Sequence, residues 1–257
     1  MSNYIKRSLH KYCQNKIEEI SDVIAREFPV TIFINEREIV TLVCSPQYLR
    51  ELAVGFLLSE GLIKKYVDIT SMEIQEEGLI NIKLAAFPIA LNSFLRRNIA
   101  SCCGKGRAGL YFINDARQVK GIISNHLFEG SKLSKLMEEM ETKSEGFQLT
   151  GGIHASALGG EVIFCMSEDI GRHNAVDKAI GAALISDIDL QDKALLLSGR
   201  VSSEIVIKAA RAGIPLVLSR AAPTDLAIDL AEDLNITTIG FARKGKLNIY
   251  SHSERII

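Results

Sequence analysis

No stretch of this chain approaches the roughly 18 consecutive apolar residues that a membrane-spanning helix needs. The opening MSNYIKRSLHKY also lacks the apolar core of a leader peptide, so we expect a cytoplasmic protein that makes no membrane contact. Net charge is missing as well: 30 Lys and Arg stand against 31 Asp and Glu, a formal charge of −1. No overall field draws such a chain to nucleic acid or to an anionic surface, and any anion site has to come from local clustering. Cysteine is scarce and odd in number, at positions Cys13, Cys44, Cys102, Cys103 and Cys165. Five thiols scattered over 257 residues make no disulfide framework and suit a reducing compartment.

What the chain does have is bulk. With 47% hydrophobic and 24% charged residues it can bury one large core or two modest ones. The first half reads as short strands around one helix. VTIFIN and EIVTLVC predict a hairpin turning at Glu36 and Arg37. In SPQYLRELAVGFLLSEGL, Ser45 can cap a helix, Pro46 suits its first position, and Leu49, Leu52, Ala53, Phe56 and Leu57 recur at helical spacing. SMEIQEEGLINIKL predicts a second hairpin around Glu77 and Gly78.

After the polar helix SKLSKLMEEMETKS the rhythm changes to strand, helix, strand, helix, through EVIFCMSE, RHNAVDKAIGAALIS, KALLLS, SEIVIKAARAG, IPLVLS, PTDLAIDLAEDLN and ITTIGFA. That alternation predicts an α/β lobe with a mostly parallel sheet and helices on its faces. A β-rich lobe over residues 1–120 would precede the α/β lobe over 121–257. No linker marks the boundary, and the two can equally form one domain.

In open α/β sheets, ligands collect at the carboxyl ends of strands. Three segments fit that position. TGGIHASAL is read as a helix opening with Gly151, Gly152 and His154. SEDIGRHNAVDK brings Asp169, Gly171, Arg172, His173, Asn174, Asp177 and Lys178 after one strand. LSGRVSSE brings Ser198, Gly199, Arg200 and Ser202 after another. Glycine lets backbone approach a phosphate, arginine offers it a planar fork, and Asp or Asn can pair with a purine edge. Each loop alone also has a plainer role: the glycines can serve turn geometry, Asp169 or Asp177 can cap a helix or pair with Arg172 or Lys178, and His154 and His173 can be satisfied polar groups. Near the end, GFARKGK is a basic strand-to-strand turn suited to phosphate, with Arg243, Lys244 and Lys246 around Gly245. Cys165, within an apolar strand, reads as a small core residue, and Cys13 and Cys44 as structural.

The thiols of NIASCCGKGRAG, residues 98–109, are different. Lys105 and Arg107, with Arg96 and Arg97 upstream, lower a thiol pKa, and Gly104, Gly106 and Gly109 let the loop move. An adjacent pair makes a strained disulfide, so sulfur carriage fits better than a redox clasp.

Taken together, ELAVGFLLSEGLI, RRN before the cysteine loop, TGGIHASAL, EDIGRHNAVDKAIG, SGRVSSEIVIKAARAGIPLVLSRAAPTDLAIDLAE and GFARKGKLNIYSHSERI resemble the formate dehydrogenase accessory sulfurtransferase family, FdhD/NarQ, over nearly the whole chain. The resemblance implies a sulfur carrier that takes persulfide sulfur from a cysteine desulfurase and passes it to the molybdenum cofactor, bis-molybdopterin guanine dinucleotide, before the cofactor enters formate dehydrogenase. It further implies a three-layer lobe similar to the cytidine deaminase fold, a homodimer, GDP as a cofactor analogue, and a cofactor segment over Phe241, Ala242, Arg243, Lys244, Gly245 and Lys246. Many members carry S-C-G-x-C-G-K, whereas this chain has SCCGKG. CGKG from Cys103 matches the single-cysteine form without a gap, which makes Cys103 the expected persulfide carrier and Cys102 the second choice.

Two other classes compete. A zinc-dependent deaminase needs H-x-E and C-x-x-C, but His154 is followed by Ala155 and Ser156 and no C-x-x-C occurs, so no metal set is expected. A delivery chaperone that binds the cofactor without catalysis is the alternative to sulfur carriage.

Overall fold

A computed structural model describes residues 1–86 and 119–257. The chain opens with a ribbon that the sequence analysis did not assign. β1 (Tyr4–Cys13) and β2 (Lys16–Ala25) pair antiparallel along their full length, as a two-stranded sheet of their own. The ribbon turns through Gln14 and Asn15, both left-handed (φ 48° and 63°), a two-residue turn whose twist matches the strands. Most of the ribbon is exposed. Its base is held where Asn3 Nδ2 donates to Gln47 Oε1 at 2.9 Å and the Tyr4 hydroxyl to Glu168 at 3.3 Å.

Both expected hairpins are present. β3 (Phe28–Ile34) turns into β4 (Arg37–Cys44), and β5 (Ile69–Ile74) into β6 (Leu79–Leu84). They join in one sheet of order β4-β3-β6-β5, with β3 and β6 parallel. The helix between them, α1 (Leu49–Ser59), starts later than its capping signal suggests, because its N-cap is Tyr48 (φ 58°). Ser45 serves a tertiary role instead. Its N–H donates to Asp169 Oδ2 at 2.9 Å, its hydroxyl oxygen accepts from the Ile170 N–H at 3.2 Å, and its carbonyl accepts from Lys178 Nζ at 2.9 Å.

The second half has the expected alternation of helices and strands, but its sheet is mixed and not mostly parallel as expected. Helices α2 (Gly130–Lys143) and α3 (Glu145–Thr150) precede β7 (His154–Gly159) and β8 (Ile163–Asp169). Then follow α4 (Arg172–Ile185), β9 (Ala194–Leu197), α5 (Ser203–Arg211), β10 (Leu216–Ser219), α6 (Asp225–Asp233), β11 (Thr237–Arg243) and β12 (Lys246–Ser251). The six-stranded sheet has the order β12-β11-β10-β9-β7-β8. Only β9, β10 and β11 run parallel, and β7, β8 and β12 pair antiparallel with their neighbours.

TGGIHASAL therefore opens a strand, not a helix. Gly151 (φ 64°) terminates α3, and from His154 the side chains alternate between the two faces of the sheet. Ala155 and Ala157 face the cluster formed with Leu133, Leu136, Met137 and Met140 of α2, and Leu158 faces the opposite core.

The sheet thus carries α2 on one face and α4, α5 and α6 on the other. Beyond the second face the core is continuous with α1 and with the inner side of β3 and β6: Val30, Ile32, Leu52, Leu57, Ile80 and Ile82 pack in one cluster with Val176, Ile180, Leu195 and Val217. This cluster crosses residue 120 without a break.

Helices α1 and α4 meet backbone to backbone. A Cβ on Gly55 would lie 1.8 Å from the Asp177 carbonyl oxygen, and one on Gly181 would lie 1.9 Å from that of Glu51. Two buried ion pairs flank this contact: Asp169 with Lys178 at 2.7 Å, both fully buried, and Asp177 with Lys208 at 2.7 Å. Ser59 Oγ also donates to Asp177, at 2.6 Å. Removing one member of such a pair strands a buried charge at a cost of about 3–5 kcal/mol. Among the described residues no helix is long and apolar enough to cross a membrane.

Candidate functional site

Parallel strands with short connections bring equivalent chain positions side by side, and here the arginines just past three strand ends converge. Arg200 follows β9, Arg220 follows β10, and Arg243 ends β11; all three line one cavity of about 590 Å³. Met140, Glu141 and Ser144 at the end of α2, with Phe147 of α3, close the cavity on the α2 side.

Phe241 supplies an aromatic wall. The β11–β12 register shifts between Gly240 and Arg243, and Phe241 sits in that bulge with a left-handed backbone (φ 50°), a conformation that bulky residues rarely adopt. Its N–H donates to the Ala221 carbonyl at 3.2 Å. The Arg243 guanidinium lies 5.7 Å from the Phe241 ring centroid, a cation–π contact.

His154, at the first position of β7, reaches the same cavity. Burial, with the Arg172 charge second, holds its imidazole below the ordinary value of 6.5, and Asp169 partly offsets both. Ser198 Oγ lies 3.4 Å from His154 Nδ1 and accepts the Ala155 N–H at 3.0 Å. The serine hydroxyl, with one hydrogen and a second lone pair still free, can pair with Nδ1 in either ring tautomer. Gly199 makes this approach possible: a Cβ there would lie 3.2 Å from Nδ1 and 3.4 Å from Arg172 Cδ.

Of the residues the sequence singles out, His154, Ser198, Arg200, Phe241 and Arg243 line the cavity. Arg172 borders it behind His154, and its Nε is buried with no hydrogen-bond partner among the described residues. The other members of that segment are directed elsewhere. Asp169 is buried and accepts from the Gly171 N–H at 2.8 Å and from Asn174 Nδ2 at 3.0 Å, which shapes the start of α4. Asn174 Nδ2 also donates to the Val43 carbonyl at 2.8 Å. His173 Nε2 lies 3.2 Å from Ser202 Oγ and 3.4 Å from Glu204.

Asp177 is placed against Lys208 and Ser59 in the helix interior and does not line the cavity. Its partner is therefore neither Arg172 nor Lys178, because one helical turn sets successive carboxylates of the segment against different neighbours. Gly151 and Gly152 form the exposed turn between α3 and β7. Ala242 points into the α2 core, and Lys244, Gly245 and Lys246 form the exposed turn beyond the cavity.

Arg220, Glu141 and Phe147 are cavity residues that sequence reasoning missed. Arg220 carried a signal, since LSR ends one apolar strand much as LSGR ends another. Glu141 and Phe147 carried none, being ordinary members of polar helices.

Cys102 and Cys103 lie outside the described residues. Of the other thiols, Cys13 is exposed near the ribbon turn and Cys44 is buried, donating to the Phe28 carbonyl at 3.4 Å. Burial pushes the Cys165 thiol up to about 11, which leaves it inert at neutral pH. Among the described residues no group of His, Cys, Asp and Glu could hold a metal ion.

Three arginines and two phenylalanines line one cavity at the strand ends, side chains whose chemistry suits an anionic group and a flat ring. Residues 25–257 match the model of the FdhD/NarQ family, and the chain belongs to that family. It is 43% identical over 254 residues to the sulfur carrier protein FdhD of Bacillus pumilus, covering 98% of this chain and 97% of that one. It is 45% identical over 240 residues to the protein of the same name from Halalkalibacterium halodurans, covering 92% and 89%. Its fold is similar to the crystal structure of a protein from Desulfotalea psychrophila, provisionally described as a formate dehydrogenase accessory protein. That likeness has a TM-score of 0.83 and 24% identity and covers 100% of both chains.

Proposed function

We propose that this protein is a sulfur carrier that serves formate dehydrogenase. The observation that carries the reading is the match of nearly the whole chain to proteins named as sulfur carriers. A cysteine desulfurase presents a persulfide, and the Cys103 thiolate attacks its outer sulfur. A new S–S bond forms on Cys103 as the donor's S–S bond breaks, and the donor cysteine leaves as a thiolate, with no net oxidation or reduction. The acceptor is the molybdenum cofactor in its bis-molybdopterin guanine dinucleotide form, held as cargo. Arg200, Arg220 and Arg243 take the phosphates, the phenylalanine rings stack on a flat base, and the His154 imidazole adds a polar contact. GDP is the simplest analogue of that cargo.

The test is mass spectrometry after incubation with a cysteine desulfurase and cysteine. A gain of about 32 Da is expected on the peptide containing Cys102 and Cys103. Cys103→Ala abolishes it and Cys102→Ala keeps part of it. An unmodified wild-type peptide, with formate dehydrogenase still activated by the double cysteine variant, would make the protein a delivery chaperone.

A further inference from the structure

A helix as short as α3 makes too few internal hydrogen bonds to stand alone in water. Of its six residues only Gly146 is buried, and Phe147 and Leu149 are each 51% exposed. Yet Phe147, with Ser144 just before the helix, forms part of the cavity wall. The chain can pivot at both ends of α3: Ser144 is non-helical (φ −78°, ψ 76°), and the left-handed Gly151 is followed by Gly152. A group outside the helix therefore has to hold it in place.

That group is Glu168 of β8. Its Oε1 accepts from the Ser144 hydroxyl at 2.7 Å and from the Gly146 N–H at 3.0 Å, and its Oε2 accepts from the same N–H at 3.2 Å and from the Tyr4 hydroxyl at 3.3 Å. Hydrogen bonds to an ionised acceptor are roughly twice as strong as neutral ones. Tyr4 belongs to β1, so one carboxylate joins the ribbon, the start of α3 and the large sheet. Burial and the Glu168 charge push the Tyr4 phenol up to about 12, which keeps it a donor at neutral pH. The approach depends on glycine: a Cβ on Gly146 would lie 2.9 Å from both Glu168 Oε2 and the Tyr4 hydroxyl oxygen. Past the other end of α3, a Cβ on Gly152 would lie 3.7 Å from the Cβ of Ala25 in β2. The ribbon base thus reaches both ends of the helix.

We infer that Glu168 is a positioning residue that keeps α3 closed against the cavity, and that Tyr4 lets the ribbon bear on the same closure. A load on the exposed ribbon that withdraws Tyr4 weakens this latch without touching a cavity residue. For the ligand the inference rests on the cargo-binding reading above; for the helix it does not.

The test measures amide hydrogen exchange over residues 145–151, and the rate of GDP release, in full-length wild type, Glu168→Gln, Tyr4→Phe and Gly146→Ala. Glu168→Gln is expected to speed exchange there about tenfold, the scale of one charge-assisted hydrogen bond, and Tyr4→Phe about threefold, as for one long bond. Residues 130–143 and 194–197 keep their wild-type exchange, which separates local opening from global unfolding. Gly146→Ala supplies a sign. Alanine has the higher helix propensity, so a self-supporting α3 would exchange more slowly, whereas a latch pushed apart by the added methyl lets it exchange faster. GDP release is expected to quicken in the same order as exchange, even in Tyr4→Phe, whose altered residue does not line the cavity. Unchanged exchange in Glu168→Gln, or slower exchange in Gly146→Ala, overturns the inference. Wild-type exchange and release in Tyr4→Phe overturn the ribbon's part in it, and faster exchange with unaltered GDP release overturns the link to the cavity. If wild type binds no GDP, the cargo-binding reading fails, and exchange alone still decides whether Glu168 holds α3.

Discussion

His154 shows how one side chain takes its properties from its neighbours. Its folded value lies below 6.5 because burial and Arg172 disfavour the charged ring, while in the unfolded chain it titrates near its ordinary value. On acidification the unfolded chain therefore takes up the proton first. The stability that rests on the neutral ring is complete above about pH 6.5 and is lost as pH falls through the folded value. Denaturant unfolding from pH 5 to 8 is expected to show stability rising with pH in that window, and His154→Gln should flatten the rise.

At this scale the sequence was legible where chemistry and position coincide. Arg200 and Arg243 sit at strand ends, where a cationic side chain has little structural use, while Phe241 was reached only through the family resemblance. Asp177 was not legible. The sequence showed it three residues before an apolar helical stretch, but its carboxylate is aimed by the helix rotation at Lys208, which lies 31 positions further on.

Elements were legible wherever their period was unmixed. The two hairpins alternate cleanly, and the apolar runs of β9 and β10 are buried on both faces as expected. The failures have physical causes. β7 was missed because glycines and alanines carry weak strand propensity and the strand is specified by neighbours on both sides. The ribbon was missed because both of its faces meet water, so no alternation marks it. The close packing of α1 on α4 was equally hidden, since a glycine inside a helical pattern reads as a weakness until the neighbouring backbone is seen. Gly55→Ala and Gly181→Ala should each force the helices apart and cost about 3 kcal/mol, measured as a lowered urea midpoint. Gly213→Ala, with nothing near its Cβ position but a left-handed φ of 76°, should cost less, about 1 kcal/mol.

For the whole molecule, the core that joins β3, β6 and α1 to α4 and the large sheet leaves little apolar surface for either half to bury alone. Thermal unfolding should therefore be a single cooperative transition, with the calorimetric and van't Hoff enthalpies in agreement. A separate early transition of residues 1–86 would show two independent units.

The ribbon is the part that this cooperativity does not reach, and its charges decide what it can join. β1 carries Lys6, Arg7 and Lys11, while β2 carries Glu18, Glu19 and Asp22. Within the ribbon these face each other, Arg7 opposite Asp22 and Lys11 opposite Glu18. Each outer edge is nonetheless a row of unpaired backbone groups bearing mainly one sign of charge. Two copies meeting about a two-fold axis must present the same edge to each other, which sets lysine against lysine or glutamate against glutamate. Closed pairing through these edges is self-repelling, and only a head-to-tail contact of β1 on β2 satisfies both charge and hydrogen bonding. Such a contact either closes as a ring or extends as an open stack. The ribbon's polarity thus guards against two-fold strand addition and leaves ionic strength as the lever on head-to-tail addition.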